Sequence, residues 1–245
     1  NLSSGIHVYE KLGVKNSDRY QFVFPYYEFT KDILIKNSNI LINFYSHGSN
    51  NLTDTNNLKT TVVNDVQYNS MDYVSEYGFM NNFGLYFKNL NTVAKNDSTY
   101  NSSPQIDGMG LIEVETSFPL FKKNLIKNQL FTPKMSFRFN PGNNMKDHSQ
   151  SNSEVNTGNV FDINRLGISD SFENGKSLTL GIDYKIDPFE DQFVQDQKDK
   201  FLEFKLATVI RDEIETKIPT SSTINRKNSN LFVSINNNLF ENINI

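Results

Sequence analysis

Cysteine and tryptophan are absent from this chain of 245 residues, and alanine occurs only at Ala94 and Ala207. Without cysteine, this stretch contains no disulfide and no thiolate metal site. Alanine is the best helix former and asparagine a poor one, so two alanines against 35 asparagines disfavour a helix-rich fold. No apolar run approaches the roughly 20 residues of a transmembrane helix. Phenylalanine and tyrosine, which favour strands, account for the 13% aromatic content.

Charge and motifs give no sign of catalysis. The net charge of -4 argues against a nucleic-acid binder, which is usually basic. Three histidines (His7, His47 and His148) lack the spacing of metal ligands. The chain has no phosphate-binding loop, dinucleotide fingerprint or nucleophile elbow. We therefore predict a protein that is not an enzyme and that has no cofactor or metal.

Apolar and polar residues alternate with period two along the whole chain, which predicts strands. The clearest run has Leu178, Leu180, Ile182, Tyr184 and Ile186 on one face. This run, residues 178–186, is nine residues long, close to the 9–11 residues with which a strand crosses a membrane. The pattern predicts a continuous antiparallel meander of about eleven strands. They lie at 5–13, 18–29, 33–46, 58–69, 81–91, 109–118, 130–140, 175–187, 199–211, 229–238 and 239–245.

The predicted connections alternate between long and short. Long polar loops are expected at 92–108, 141–174 and 212–228, a shorter one at 47–57, and tighter or more structured links at 30–33 and 119–129. Such alternation is typical of outer-membrane barrels. The acidic segment 187–199 departs from the pattern because it is long where a short turn is expected, and it lacks the spacing of a calcium loop.

The two faces of the strands differ in polarity. Residues predicted to face a polar lumen are Arg138, Asp183, Lys185, Glu203 and Lys205. Glu113 and Glu115, spaced like a catalytic pair, are interpreted as part of this face. In the strand predicted at 175–187, Leu180 would face lipid, and Thr179 would face water and tolerate arginine. A soluble sheet with one wet face also alternates, but long strands with aromatic ends favour the barrel.

The segment Phe161–Ile186 resembles the most characteristic stretch of LptD, a family of lipopolysaccharide-assembly proteins. The matching positions are Asp162, Asn164, Arg165, Gly167, Asp170, Glu173 and Gly175. Three further segments, Ser17–Phe29, Phe118–Gly142 and Ile218–Leu239, resemble the family in the same order. The chain departs from the family at Ser171, where an arginine is usual, and in lacking the cysteines that the family often carries.

The resemblance implies transport in the outer membrane of a Gram-negative bacterium. Members of the family form a large barrel that inserts lipopolysaccharide into the outer leaflet. A jelly-roll domain receives it from the periplasmic Lpt bridge, and an LptE-like lipoprotein plugs the lumen. Because the chain starts without Met and ends within a predicted strand, we expect residues 1–245 to be a partial barrel domain, without the jelly roll and the closing strands.

The matching loop is expected to be an ordered structural cap, with Arg165 paired to Asp162, Asp170 or Glu173, since arginine and carboxylate form strong hydrogen bonds. Two other classes of protein remain open. One is a different outer-membrane barrel, either a porin or a TonB-dependent siderophore receptor. The other is a soluble extracellular β-sandwich that binds carbohydrate.

Overall fold

The computed structural model describes residues 1–10, 12–13, 21–35, 40–54, 56–123, 127–188 and 201–238. These residues form one antiparallel sheet of 12 strands. The one helical segment among them is a single 3-10 turn at Thr220–Ser222. No helix in this part of the chain has the length and apolar character needed to cross a membrane. The predicted all-β meander is confirmed.

The strands, numbered in chain order, are β1 Leu2–Tyr9, β2 Gln21–Ile35, β3 Ile40–Thr53, β4 Asn57–Asn69, β5 Tyr73–Val74, β6 Met80–Lys95, β7 Gln105–Ser117, β8 Leu120–Lys123, β9 Lys127–Asn140, β10 Gly175–Pro188, β11 Leu202–Arg211 and β12 Phe232–Asn237. Each long strand pairs with the next long strand along the chain. The short strands β5 and β8 pair with β6 and β9. The sheet is open, and β1 and β12 are its edges within the described residues.

Two of the predicted connections are wrong. The link expected at 30–33 lies inside β2, where Thr30, Lys31 and Asp32 pair with β3. The loop expected at 47–57 is largely strand, because β3 continues to Thr53 and β4 begins at Asn57. Polar side chains in these stretches are satisfied across strands, as where Asn43 Nδ2 donates to Asp32 Oδ1 at 2.7 Å. Polarity therefore does not end a strand here.

The other predicted strands match observed ones apart from shifts at their ends. The strand predicted at 239–245 and most of the acidic segment 187–199 lie outside the described residues. The meander brings the connections 96–104, 141–174 and 212–231 to one end of the sheet, which we call the loop end. We call residues 141–174 the cap loop, because this connection folds back over one face of the sheet.

Candidate functional site

One face of the sheet is apolar, and the described part of the chain leaves it uncovered. Register pairs align its side chains across neighbouring strands, as in Phe83–Val114–Phe137–Leu178. Each of these exposed residues leaves between 38% and 52% of its surface accessible: Phe83, Leu85, Phe87, Ile112, Val114, Met135, Phe137, Leu180, Ile210, Val233 and Ile235. We call this the apolar face. A row of large exposed apolar side chains marks a surface that contacts something other than water.

On part of the apolar face, amide side chains replace apolar ones toward the loop end. On β6 the outward positions Phe83, Leu85 and Phe87 are followed by Asn89 and Asn91. Asn89 accepts hydrogen bonds from Asn64 at 3.1 Å and from Asn91 at 2.7 Å. The same face thus changes from an apolar band to a ladder of amides within one strand.

The opposite face is polar, and much of it is buried. Asp65, Lys88, Glu113, Arg138 and Arg211 are at most 5% exposed. Four of them form ion pairs within the sheet: Lys88 Nζ lies 2.6 Å from Asp65 Oδ1, and Arg138 Nε lies 2.6 Å from Glu113 Oε1. Buried charges of this kind are stable only when paired and hydrogen-bonded. We call this the polar face.

The cap loop buries part of the polar face. Arg138 donates two hydrogen bonds of 2.7 Å to the carbonyl oxygens of Phe161 and Asp162, and Lys88 Nζ donates to the carbonyl of Ser169 at 2.8 Å. Phe172 packs in a cluster with side chains of β4, β6 and β7. A second cluster joins the cap loop, β11 and the connection 212–231. The loop is therefore attached by both polar and apolar contacts.

Arg165 is the centre of the cap. Its side chain is fully buried, and its Nε and NH2 donate to the two carboxylate oxygens of Glu173, each at 2.7 Å. Its NH1 donates to Thr179 Oγ1 at 2.8 Å and its NH2 to Ser177 Oγ at 3.0 Å, both on β10. The pairing predicted for Arg165 is thus present, with Glu173 as the partner.

Glu173 is shared by several arginines. Arg211 NH1 lies 3.0 Å from Glu173 Oε2, and Arg138 NH1 lies 3.9 Å from Oε1. Burial would raise the pKa of the Glu173 carboxyl, but the charge and hydrogen bonds of Arg165, with Arg211 and Arg138, lower it to about 2. The carboxylate therefore joins the loop to β9 and β11, and Arg165 joins it to β10.

Asp170, the next acidic residue of the motif, belongs to a separate cluster. Tyr100 Oη donates to Asp170 Oδ2, and His148 Nε2 lies 2.8 Å from Oδ1. Burial would raise the pKa of Asp170, but hydrogen bonds with His148 and Tyr100 lower it to about 2. Burial also raises the pKa of Tyr100. This cluster links two connections at the loop end.

The remaining motif residues shape the backbone. The Asp162 carbonyl accepts from the Arg165 amide at 3.1 Å, and Asn164 Oδ1 accepts from the Ile168 amide at 2.8 Å. Gly175 begins β10 with φ of 75°, a conformation that favours glycine. The sequence did not single out the partners Arg211, Tyr100 and His148 for this site, since no local pattern connects them to the motif.

The five residues predicted to face a lumen all lie on the polar face. Arg138 is buried under the cap loop, whereas Asp183, Lys185, Glu203 and Lys205 are only half-buried. Each of these four has a charged partner: Asp183 pairs with Lys134, Lys185 with Asp187 at 3.0 Å, and Lys205 with Glu203 at 3.1 Å. The chain thus shows a mixed-charge surface beyond the edge of the cap loop.

Thr179 does not face water, so the expected exposure of its side chain is wrong and the reason for expecting arginine to be tolerated there is removed. Its side chain is fully buried and accepts the hydrogen bond from Arg165. Glu113 likewise is part of a structural ion pair, because Arg138 and Ser136 both donate to its Oε1. In the described ranges, no group of three or more His, Asp or Glu side chains could hold a metal ion.

Comparison with protein-family models finds no match for the chain, and comparison with curated proteins finds none either.

Proposed function

We propose that this chain forms part of the wall of an outer-membrane β-barrel that acts in lipopolysaccharide assembly. The observation that carries the proposal is that the described elements leave the apolar face uncovered, whereas the chain's own loop buries part of the polar face. In a soluble sandwich the arrangement is reversed, since the apolar face packs against a second layer. None of the described elements covers the apolar face.

The dimensions of the apolar band support a membrane. On β10 the run from Leu178 to Ile186 is about 27 Å long at about 3.4 Å per residue. Tilted by roughly 40°, it reaches about 21 Å along the membrane normal, close to the apolar band of about 25 Å that barrels present to lipid. The amides of Asn89 and Asn91 then lie where the wall leaves the hydrocarbon.

The apolar face would contact lipid, and the polar face would line a water-filled lumen that accommodates a saccharide. Strand-to-strand pairing satisfies the backbone, as the bilayer requires. The more specific assignment rests on the resemblance of Phe161–Ile186 to the LptD family. Porins and siderophore receptors would present the same apolar band. The motif favours lipopolysaccharide transport, with a plug lipoprotein and a periplasmic bridge as partners, and no catalytic step.

Val233→Arg and Asn236→Arg in β12 test the membrane position. Val233 is 52% exposed on the apolar face, whereas Asn236 is exposed on the polar face and donates to Glu203 at 3.0 Å. In the complete protein, we expect Val233→Arg to reduce the folded barrel in outer-membrane fractions, since arginine near the midplane costs about 2–4 kcal/mol. Asn236→Arg should be mild because it adds a cation beside Glu203.

Because both positions are solvent-exposed in the chain by itself, a soluble protein would tolerate both variants equally, and that result would contradict the membrane proposal. The transport proposal has its own readout. Depletion of the complete protein should lower surface lipopolysaccharide, as detected by antibody binding to intact cells. Normal surface lipopolysaccharide with impaired uptake of small solutes would identify a porin or receptor instead.

A further inference from the structure

A polar cavity separates the cap loop from strands β3 and β4. Its volume is about 370 Å³, and small-molecule sites measure roughly 300–1,000 Å³. Ser49, Asn51 and Thr61 line it from the sheet, and Asn152 and Ser169 line it from the cap loop. It is therefore built from two parts of the chain that come together only in the folded protein.

The lining is rich in hydroxyl and amide groups. A serine or threonine hydroxyl can donate and accept hydrogen bonds, and an asparagine amide offers both functions at fixed positions. Ligand sites are usually lined mainly by apolar and aromatic side chains. The composition of this cavity instead matches a ligand that carries many hydroxyl groups.

The free charge of the cavity is positive. Asp170 is engaged by Tyr100 and His148. Lys59 has its Nζ 4.4 Å from the centre of the Tyr100 ring and makes no ion pair with any residue that the structure describes. His47, also in the lining, has a buried Nδ1 without a hydrogen-bond partner in the same ranges. Polar groups left unpaired in this way call for a ligand or water.

We propose that this cavity binds an anionic saccharide of the sugar-phosphate class. Lys59 contacts the phosphate, and the side chains of Ser49, Thr61 and Asn152 contact the sugar hydroxyls. The site goes beyond the proposed function, since it depends on the cavity and not on insertion into a membrane. It also differs from the Arg165 network, in which every carboxylate is already paired with arginine.

The test is titration of the complete protein in detergent with glucose 6-phosphate, glucose and inorganic phosphate, followed by calorimetry or ligand-observed NMR. Glucose 6-phosphate should bind most tightly. Lys59→Gln should weaken its binding about tenfold, as expected for loss of a charge-assisted hydrogen bond, and leave glucose binding unchanged. Thr61→Val should weaken binding of both sugars.

Lys176→Gln is the matched control, because Lys176 also lies over an aromatic ring, 5.7 Å from the centre of Phe139, but outside the cavity. Its affinities should equal those of the parent protein. Phosphate binding as tightly as glucose 6-phosphate would overturn the saccharide assignment, and glucose binding as tightly would overturn the role of Lys59. No binding of any probe would overturn the site. Circular dichroism establishes that each variant is folded.

Discussion

At the scale of single residues, Arg165 holds the cap loop to the sheet. It satisfies Glu173 with two hydrogen bonds and also reaches Thr179 and Ser177 on β10. Lysine could not replace it, because an ammonium group cannot make the planar two-point contact with a carboxylate. The site is therefore specific for arginine on geometric grounds.

Arg165→Met should destabilise the protein strongly. It leaves Glu173 buried with fewer cations, and breaking a buried pair by removing one partner costs about 3–5 kcal/mol. The free energy of unfolding, measured with denaturant, is the readout. Lys176→Met is the control, since its side chain is 54% exposed and should change stability little. A loss below about 0.5 kcal/mol for Arg165→Met would contradict the structural role.

The Glu173 and Asp170 carboxyls predict how stability depends on pH. Each has its folded pKa lowered to about 2, below the usual values of 4.5 and 3.8. A lowered pKa means that folding favours the ionised form, so the stabilisation is complete above about pH 4.5 and is lost as the pH falls toward 2. Proteolysis of the cap loop should accelerate in this window.

Glu173→Gln tests the pH dependence directly. The variant should be cleaved faster at neutral pH, and its cleavage should vary less between pH 4.5 and 2, because one of the two titrating carboxyls is gone. If the cleavage rate of the variant depended on pH as strongly as that of the parent protein, ionisation of Glu173 would not contribute to the attachment of the cap loop.

At the scale of elements, β10 shows how far alternation can be read. The strand was predicted at 175–187 and runs from Gly175 to Pro188. Its apolar residues share one face, as expected from a period of two. What alternation does not reveal is whether the polar half of a strand meets water or another part of the chain.

Thr179→Arg should therefore be severely destabilising. It places a further cation beside Arg165 at a fully buried position where Glu173 is already paired with arginines, and burying an unpaired charge is among the most damaging single changes. Thr179→Ser is the control, because it keeps the hydroxyl that accepts from Arg165. Recovery of normally folded Thr179→Arg protein from membranes would show that the cap loop leaves this position open.

At the scale of the whole molecule, the sheet formed by the described residues has an uncovered apolar face and open edges. The outer edge of β1 and the apolar face are both surfaces that associate in water. Residues 1–245 produced alone in aqueous buffer should form oligomers or aggregates. Light scattering after size-exclusion chromatography measures this, with the same chain in detergent as the comparison. A monodisperse monomer without detergent would contradict a lipid-facing wall.

Alternation determined much of this fold without tertiary information. The long described strands, their order in the meander and the composition of both faces follow from period-two patterning, because a strand necessarily places neighbours on opposite faces. The motif at 162–175 also led to the pairing of Arg165 with an acidic residue. Turn positions near 30–33 and 47–57 were wrong, because polar residues continue strands when they have partners across the sheet.

Only the tertiary structure decided what covers each face. Arg211, Tyr100 and His148 reach Glu173 and Asp170 from connections and strands far along the chain. No local pattern encodes the path of a 34-residue connection such as 141–174, since its course depends on contacts that exist only after the sheet has formed. Whether the polar face of a strand is exposed to water or buried is therefore a property of the folded chain. Thr179 is an example, because it lies on the polar side of β10 and is fully buried.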